Sequence, residues 1–212
     1  MNWLPILWAG LLAAAYFMGS VSFSYLIVRR MRQRDVRAMG SGNAGATNVL
    51  RAAGLLPALA TLFLDVTKGV LPVMAARALE APPWVVAGSA IAVVVGHVFP
   101  ALFQFRGGKG VATAIGALGA LAPLVALAIV LVFVVVVALT RYVSLGSIAG
   151  AAAYPGTVYL FERGGWIEPE PALWIAAPPV ALLILLKHLS NLRRLRTGGE
   201  RPLEALWRKR GR

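Results

Sequence analysis

The sequence predicts an all-α integral membrane protein with seven transmembrane helices, N-terminus out and C-terminus in. Of its 212 residues 59% are hydrophobic and 14% charged, with a mean hydropathy of +0.75, too little polar surface for a water-soluble domain. The apolar residues fall into runs of bilayer length. Basic residues gather between the runs rather than on a soluble face, so membrane topology and anionic substrates explain the net charge of +13 better than nucleic acid does.

The first run, Trp3 to Val28, begins without a basic leader and reads as a retained helix rather than a cleaved signal. Gly54 to Ala76, Trp84 to Phe103, Ser144 to Phe161 and Ala172 to Leu186 each approach the ~20 residues a spanning helix needs. Gly110 to Leu139 is longer. As one helix it would measure about 45 Å against a hydrocarbon core of ~30 Å. Gly116, Gly119 and Pro123 offer a break in its middle.

Charge decides between one helix and two. With a split at Leu121 to Pro123, 18 of the 21 basic residues fall on one side, which is then the cytoplasm. The other side receives Arg77, Glu80, Glu162, Arg163, Glu168 and Glu170. Without the split, Arg141 and the basic C-terminal stretch would lie outside. Seven spans are therefore expected, with one or both helices of the split pair short or tilted. Residues 1–212 read as one transmembrane domain, without a transporter-type repeat. The absence of cysteine excludes disulfides, thiolate nucleophiles and cysteine metal sites.

The polar motifs share the cytoplasmic side. Gly40-Ser41-Gly42-Asn43-Ala44-Gly45-Ala46-Thr47-Asn48, closed by Arg51, is a loop whose glycines let backbone N–H groups converge on an anion while the arginine adds a bidentate clamp. Its spacing also satisfies two nucleotide fingerprints. Ala46 stands where a P-loop needs Lys, however, and neither fingerprint has its strand-to-helix context. A bare linker would not need Asn43, Thr47, Asn48 and Arg51 together. In Gly107-Gly108-Lys109-Gly110, N–H groups, a helix start and an ammonium coincide, which favours anion binding over simple positive-inside punctuation.

His97 and His188 are the only histidines, each near the cytoplasmic end of a helix. Each reads equally as a hydrogen-bonded structural residue and as a base. Two scattered histidines without clustered carboxylates make no metal site. Asp65 and Lys68 are spaced to pair on one helix inside an apolar run, where an unpaired charge would be costly. Glu200, after Gly198-Gly199, is expected to anchor the tail to the basic loops. Leu203, Leu206 and Trp207 beside Arg208 to Arg212 suggest a short interfacial helix or a solvated basic tail.

Three stretches, GSGNAGATNVLR (residues 40–51), GHVFPALFQFRGGKGVAT (96–113) and KHLSNLRRLRTGGE (187–200), resemble the three motifs of the bacterial acyl-phosphate:glycerol-3-phosphate acyltransferase family, the PlsY type. Gly19-Ser20, Asp65-x-x-Lys68-Gly69 and Ser144 to Ser147 also fit its pattern, so the likeness covers nearly the whole chain in order. Ser22 departs from the family's usual Pro, and Leu189 from the Arg that usually follows the third-motif histidine.

The resemblance implies acyl transfer from a fatty acyl phosphate to the 1-hydroxyl of sn-glycerol 3-phosphate, giving lysophosphatidic acid and phosphate at the cytoplasmic (inner) membrane, with no cofactor and no metal. It implies a catalytic set of Ser41, Arg51, Lys109, His188 and Asn191. Gly40, Gly42, Asn43, Gly45, Thr47, His97, Gly107, Gly108 and Ser147 are the implied substrate-binding residues. The expected partners are the two substrates and the bilayer. Both substrates carry phosphate, so bringing them together demands cations and N–H donors, which the loops supply. No nucleophile-base-acid triad is evident, and neither histidine has an Asp five residues later. Direct attack by the glycerol hydroxyl, deprotonated by a substrate phosphate, is favoured, with His188 the rival base and Ser41 a weaker covalent option. A small-anion transporter would be expected to have repeats and midplane polar breaks, and a membrane scaffold would leave the three motifs unexplained.

Overall fold

A computed structural model describes residues 3–203, and every described regular element is helical. The expected interfacial helix around Leu206, Trp207 and Arg208 to Arg212 lies outside the described residues. Helix α1 (Leu4–Ser20) runs almost directly into α2 (Phe23–Arg32). Ser22 sits in the break and caps α2 by accepting a hydrogen bond from Tyr25 N at 3.4 Å. The break frees the Val21 carbonyl, which accepts from Lys68 Nζ at 2.8 Å. The first motif leads into a short helix α3 (Ala46–Ala53), which turns at Gly54 into α4 (Leu55–Ala78). Then follow α5 (Pro83–Val98), α6 (Val111–Gly119), α7 (Pro123–Thr140), α8 (Val143–Arg163), α9 (Pro171–Lys187) and α10 (Leu189–Arg196).

The long apolar run is indeed interrupted where glycines and proline suggested: α6 ends at Gly119 and Pro123 starts α7. At 1.5 Å per residue, α6 is only about 14 Å long. Among the described residues, four segments are long and apolar enough to cross a membrane, namely Leu4–Arg32, Leu55–Ala78, Pro83–Phe103 and Pro123–Thr140. The pair α9 and α10, bent by 45°, gives a fifth if taken as one span.

Two close crossings organise the bundle. On α1 and α5, a Cβ at Gly19 would lie 2.1 Å from the Val93 carbonyl oxygen and one at Gly96 2.1 Å from that of Tyr16. On α4 and α6, Gly69 faces the Thr113 carbonyl and Gly116 that of Val66 in the same way. Such backbone proximity is how apolar helices gain dispersion contact where lipid removes the hydrophobic drive. Val73, Val93, Val94, Val125, Val158 and Leu173 fill the interior. Large apolar side chains such as Leu56 (79% exposed) and Leu139 (80%) point outward, as a lipid-facing surface requires.

The antiparallel succession brings α3, the C-terminal ends of α5, α7 and α9, and the N-terminal ends of α6 and α8 to one end of the bundle. At the other end Arg77 of α4 pairs with Glu170 and donates to the Ala120 carbonyl at 2.9 Å. Three elements are thus tied together away from the motifs.

Candidate active site

The first-motif loop is held by one amide. Asn48 is buried on α3. Its Oδ1 accepts from Ser41 N at 2.8 Å, and its Nδ2 donates to the carbonyls of Val36 (2.9 Å) and Met39 (3.0 Å). Gly40 has φ +57°, and a Cβ there would lie 2.2 Å from Asn48 Oδ1. Glycine is required on both counts. With the loop so fixed, Ser41, Asn43 and Thr47 border a cavity at the start of α3, and Arg51 follows one turn on.

That cavity has a volume of about 630 Å³. Its polar end gathers Gly40, Ser41, Asn43, Gly45, Thr47 and Arg51 with His97, Lys109, His188 and Asn191; Ser147 lies on its α8 wall. Eleven of the fourteen residues proposed from the sequence therefore meet at one place. Gly42, Gly107 and Gly108 do not line it. Gly108 N donates to the His97 carbonyl at 3.1 Å, and a Cβ at 108 would lie 2.1 Å from His97 Nε2. A Cβ at Gly107 would lie 2.0 Å from the same carbonyl oxygen. These two glycines let the second-motif loop close over the histidine.

Lys109 donates to Asn191 Oδ1. Asn191 Nδ2 in turn donates to Glu200 Oε1 at 2.6 Å, and Glu200 also accepts from Ser144 Oγ and Arg194 Nε, each at 2.8 Å. Burial raises the Glu200 carboxyl, but these donors outweigh it and leave it below its ordinary value, so it is a carboxylate. The tail continues across the mouth: Arg201 reaches the Gly40 carbonyl at 3.5 Å and Leu203 N donates to the Arg141 carbonyl at 2.7 Å. Glu200 thus anchors the tail as expected. That Glu200 pairs with Ser144 and Asn191, and that Arg201 reaches the mouth, carries no signal in the sequence.

Cations crowd the polar end. Burial, aided by the charges of Arg194, Arg51 and Lys187 and opposed by Glu200, brings the Lys109 ammonium down to about 8. Burial and the Arg201 charge likewise lower Arg51, although a guanidinium stays charged. Arg51 Nε is buried without a hydrogen-bond partner among the described residues. An anion of roughly phosphate chemistry would satisfy both groups.

His188 stands beyond the end of α9, where burial and then the Lys109 charge bring its imidazole down to about 4. It is neutral at physiological pH. Its Nδ1 lies 2.8 Å from the Ile184 carbonyl, which only accepts, so Nδ1 carries the proton and Nε2 is left as the acceptor. His97 is buried on α5 with Nδ1 3.6 Å from Asp65 Oδ1, and Asp65 is paired with Lys68 at 2.8 Å. The expected i, i+3 pair therefore exists and also faces a histidine.

From the polar end the cavity passes into an apolar branch between α4, α6, α7, α8 and α9, lined by residues such as Val66, Ile115, Ile129, Phe133, Ala151 and Ile184. One space thus joins a cationic mouth to a lipophilic interior.

The model of a family described as glycerol-3-phosphate acyltransferase matches residues 9–198. The chain is 44% identical over 196 residues to the glycerol-3-phosphate acyltransferase of Geobacter sulfurreducens, covering 92% of this chain and 97% of that one. It is 40% identical over 200 residues to that of Serratia proteamaculans, covering 94% and 91%. Among solved structures it is similar to PlsY (YgiH), an integral membrane glycerol 3-phosphate acyltransferase. For the glycerol 3-phosphate form the TM-score is 0.83 at 38% identity, with 94% of this chain and 98% of that one covered. For the lysophosphatidic acid form the values are 0.79, 35%, 95% and 99%. By sequence over nearly its full length and by fold, this chain belongs to the integral membrane, PlsY-type family of glycerol-3-phosphate acyltransferases.

Proposed function

We propose that this protein transfers a fatty acyl group from an acyl phosphate to the 1-hydroxyl of sn-glycerol 3-phosphate, releasing lysophosphatidic acid and phosphate. The observation that carries this reading is the single cavity with a cationic mouth and an apolar branch. Such a space suits a phosphate head on a long acyl chain better than the adenine-bearing head of a CoA thioester. Seven spans, α1 with α2 and then α4 to α9, put the mouth at the cytoplasmic face of the inner membrane with the N-terminus outside. The bias of basic residues to that side supports this orientation.

In the reaction, the glycerol 1-hydroxyl oxygen attacks the acyl carbonyl carbon. The carbon–oxygen bond to phosphate breaks, and phosphate leaves with that electron pair. Arg51 and Lys109 hold the two phosphates against their mutual repulsion; Ser41, Asn43 and Thr47 orient the acceptor, and Asn191 fixes Lys109. Holding reactants in line is worth on the order of 7 to 11 kcal/mol of barrier, ample for a donor with so good a leaving group. The hydroxyl proton goes to a substrate phosphate oxygen. His188 Nε2 is the competing acceptor, but an imidazole brought down to about 4 is a weak base until a bound phosphate raises it.

The test gives purified protein glycerol 3-phosphate with acyl phosphate or acyl-CoA and measures lysophosphatidic acid and phosphate together. Equimolar products from acyl phosphate, with little or none from acyl-CoA, are expected. Efficient use of acyl-CoA, or phosphate release without acylation, would overturn the assignment.

A further inference from the structure

Away from the mouth, the apolar branch of the cavity is closed off along the bundle by packed side chains. On α8 its lining residues recur every three or four positions from Val143 at the mouth to Tyr154 and stop there; the next residue on that face, Val158, is fully buried in the core. On α9 the lining stops at Val180, backed by Ala176, and on α7 at Ile129, backed by Val125. With Leu118 of α6 these form a floor, about 16 Å from Val143 along α8 at 1.5 Å per residue.

Tyr154 is the largest side chain of that floor. It is 4% exposed, and its hydroxyl has no hydrogen-bond partner among the described residues. Between Val143 and Ser144 at the mouth and the ring, α8 presents the small residues Gly146, Ser147, Gly150 and Ala151 to the cavity.

We propose that Tyr154 sets the acyl-chain length this enzyme accepts: the methyl end of a chain whose phosphate sits at Arg51 and Lys109 stops against its ring. The inference rests on the acyl-transfer reading above and adds a specificity-determining residue to it.

The test uses the full chain in lipid nanodiscs with glycerol 3-phosphate and a mixture of saturated acyl phosphates of graded length. Products are resolved by mass spectrometry. The ratio of long to short products from one mixture is independent of how much of a variant is folded. Tyr154→Ala should raise, on the order of tenfold, the share of chains two carbons longer than the wild-type optimum, since each newly buried methylene is worth on the order of fourfold. Tyr154→Phe keeps the ring and should leave the profile within about twofold. Ala151→Leu raises the floor and should shift it towards shorter chains. Where Tyr154→Ala fails to fold, Tyr154→Leu carries the same expectation at smaller size. Active variants that keep the wild-type profile would remove the length limit and leave the acyl-transfer reading intact. A wild type that does not acylate glycerol 3-phosphate from any acyl phosphate would remove both.

Discussion

Lys68, buried, and Arg51, half-buried, are both cations near the same cavity, yet their surroundings differ. Lys68 Nζ has the Asp65 carboxylate at 2.8 Å, the Val21 carbonyl at 2.8 Å and the Phe23 ring 5.5 Å from its centroid to share its charge. Arg51 has Arg201, Arg194 and Lys109 for neighbours, the distant compensation of Glu200, and a buried Nε without a partner among the described residues. The first arrangement pairs its own charges and ties helices together. The second leaves positive charge and a buried donor uncompensated, as a site that awaits an anion would.

The comparison is broken or sharpened first at Lys68. Lys68→Ala leaves the Asp65 carboxylate uncompensated and should destabilise the protein by about 3–5 kcal/mol. Thermal unfolding in detergent checks this, and Asp65→Asn in the same chain should recover much of the loss. At Arg51 the loss should instead be functional. Arg51→Ala and Lys109→Ala should each lower kcat/KM by on the order of 10²- to 10³-fold, the usual cost of removing one donor to developing negative charge. Their melting temperatures should stay at or above wild type, because mutual repulsion is relieved. Arg51→Lys should rescue poorly, since an ammonium lacks the bidentate fork. A destabilised Arg51→Ala with normal kinetics would erase the distinction.

A pH series sharpens it further. Lys109 titrates at about 8 in the folded protein against 10.5 when unfolded. Between those values the unfolded chain binds more protons, so this group's contribution makes stability rise with pH from about 8 upward. The anion site behaves oppositely: glycerol 3-phosphate KM should rise as pH passes about 8, and Lys109→Arg should abolish that rise. His188, at about 4 folded and 6.5 unfolded, gives the acid counterpart. Its contribution is full above pH 6.5 and lost as pH falls towards 4, and His188→Asn should flatten that limb of the unfolding curve. The smallest effect is expected at Ser147, whose hydroxyl already donates to the Val143 carbonyl at 3.0 Å. Ser147→Ala should change kcat/KM by no more than about fivefold, the scale of one ordinary hydrogen bond.

What the sequence reveals of this arrangement follows from the range of each interaction. Asp65 with Lys68 is legible because both lie on one helix three residues apart, whereas His97 joins them from another helix with no spacing to betray it. The break at Pro123 is legible because proline cannot continue a helix; the break at Val21-Ser22 has only an unobtrusive serine as its mark. Gly107 and Gly108 are ambiguous in an instructive way. Glycine permits an exposed N–H to approach a ligand and equally permits close packing, and in the structure both pack closely against His97. Asn48 belongs to the first motif by position, but its part as the clasp of the loop depends on carbonyls nine and twelve residues away.

The reciprocal glycines of the two helix crossings bear on how this molecule can vary through descent. At Gly19, Gly69, Gly96 and Gly116 any side chain would overlap a neighbouring carbonyl oxygen, so substitution is barred without regard to chemistry. Lipid-facing positions such as Leu56 and Leu139 ask only for an apolar residue and are free to drift among several. Ranking positions by invariance alone would therefore not separate four spacing glycines from residues that take part in a reaction. In a bundle packed through backbone contact, invariance records steric closure as faithfully as it records catalysis.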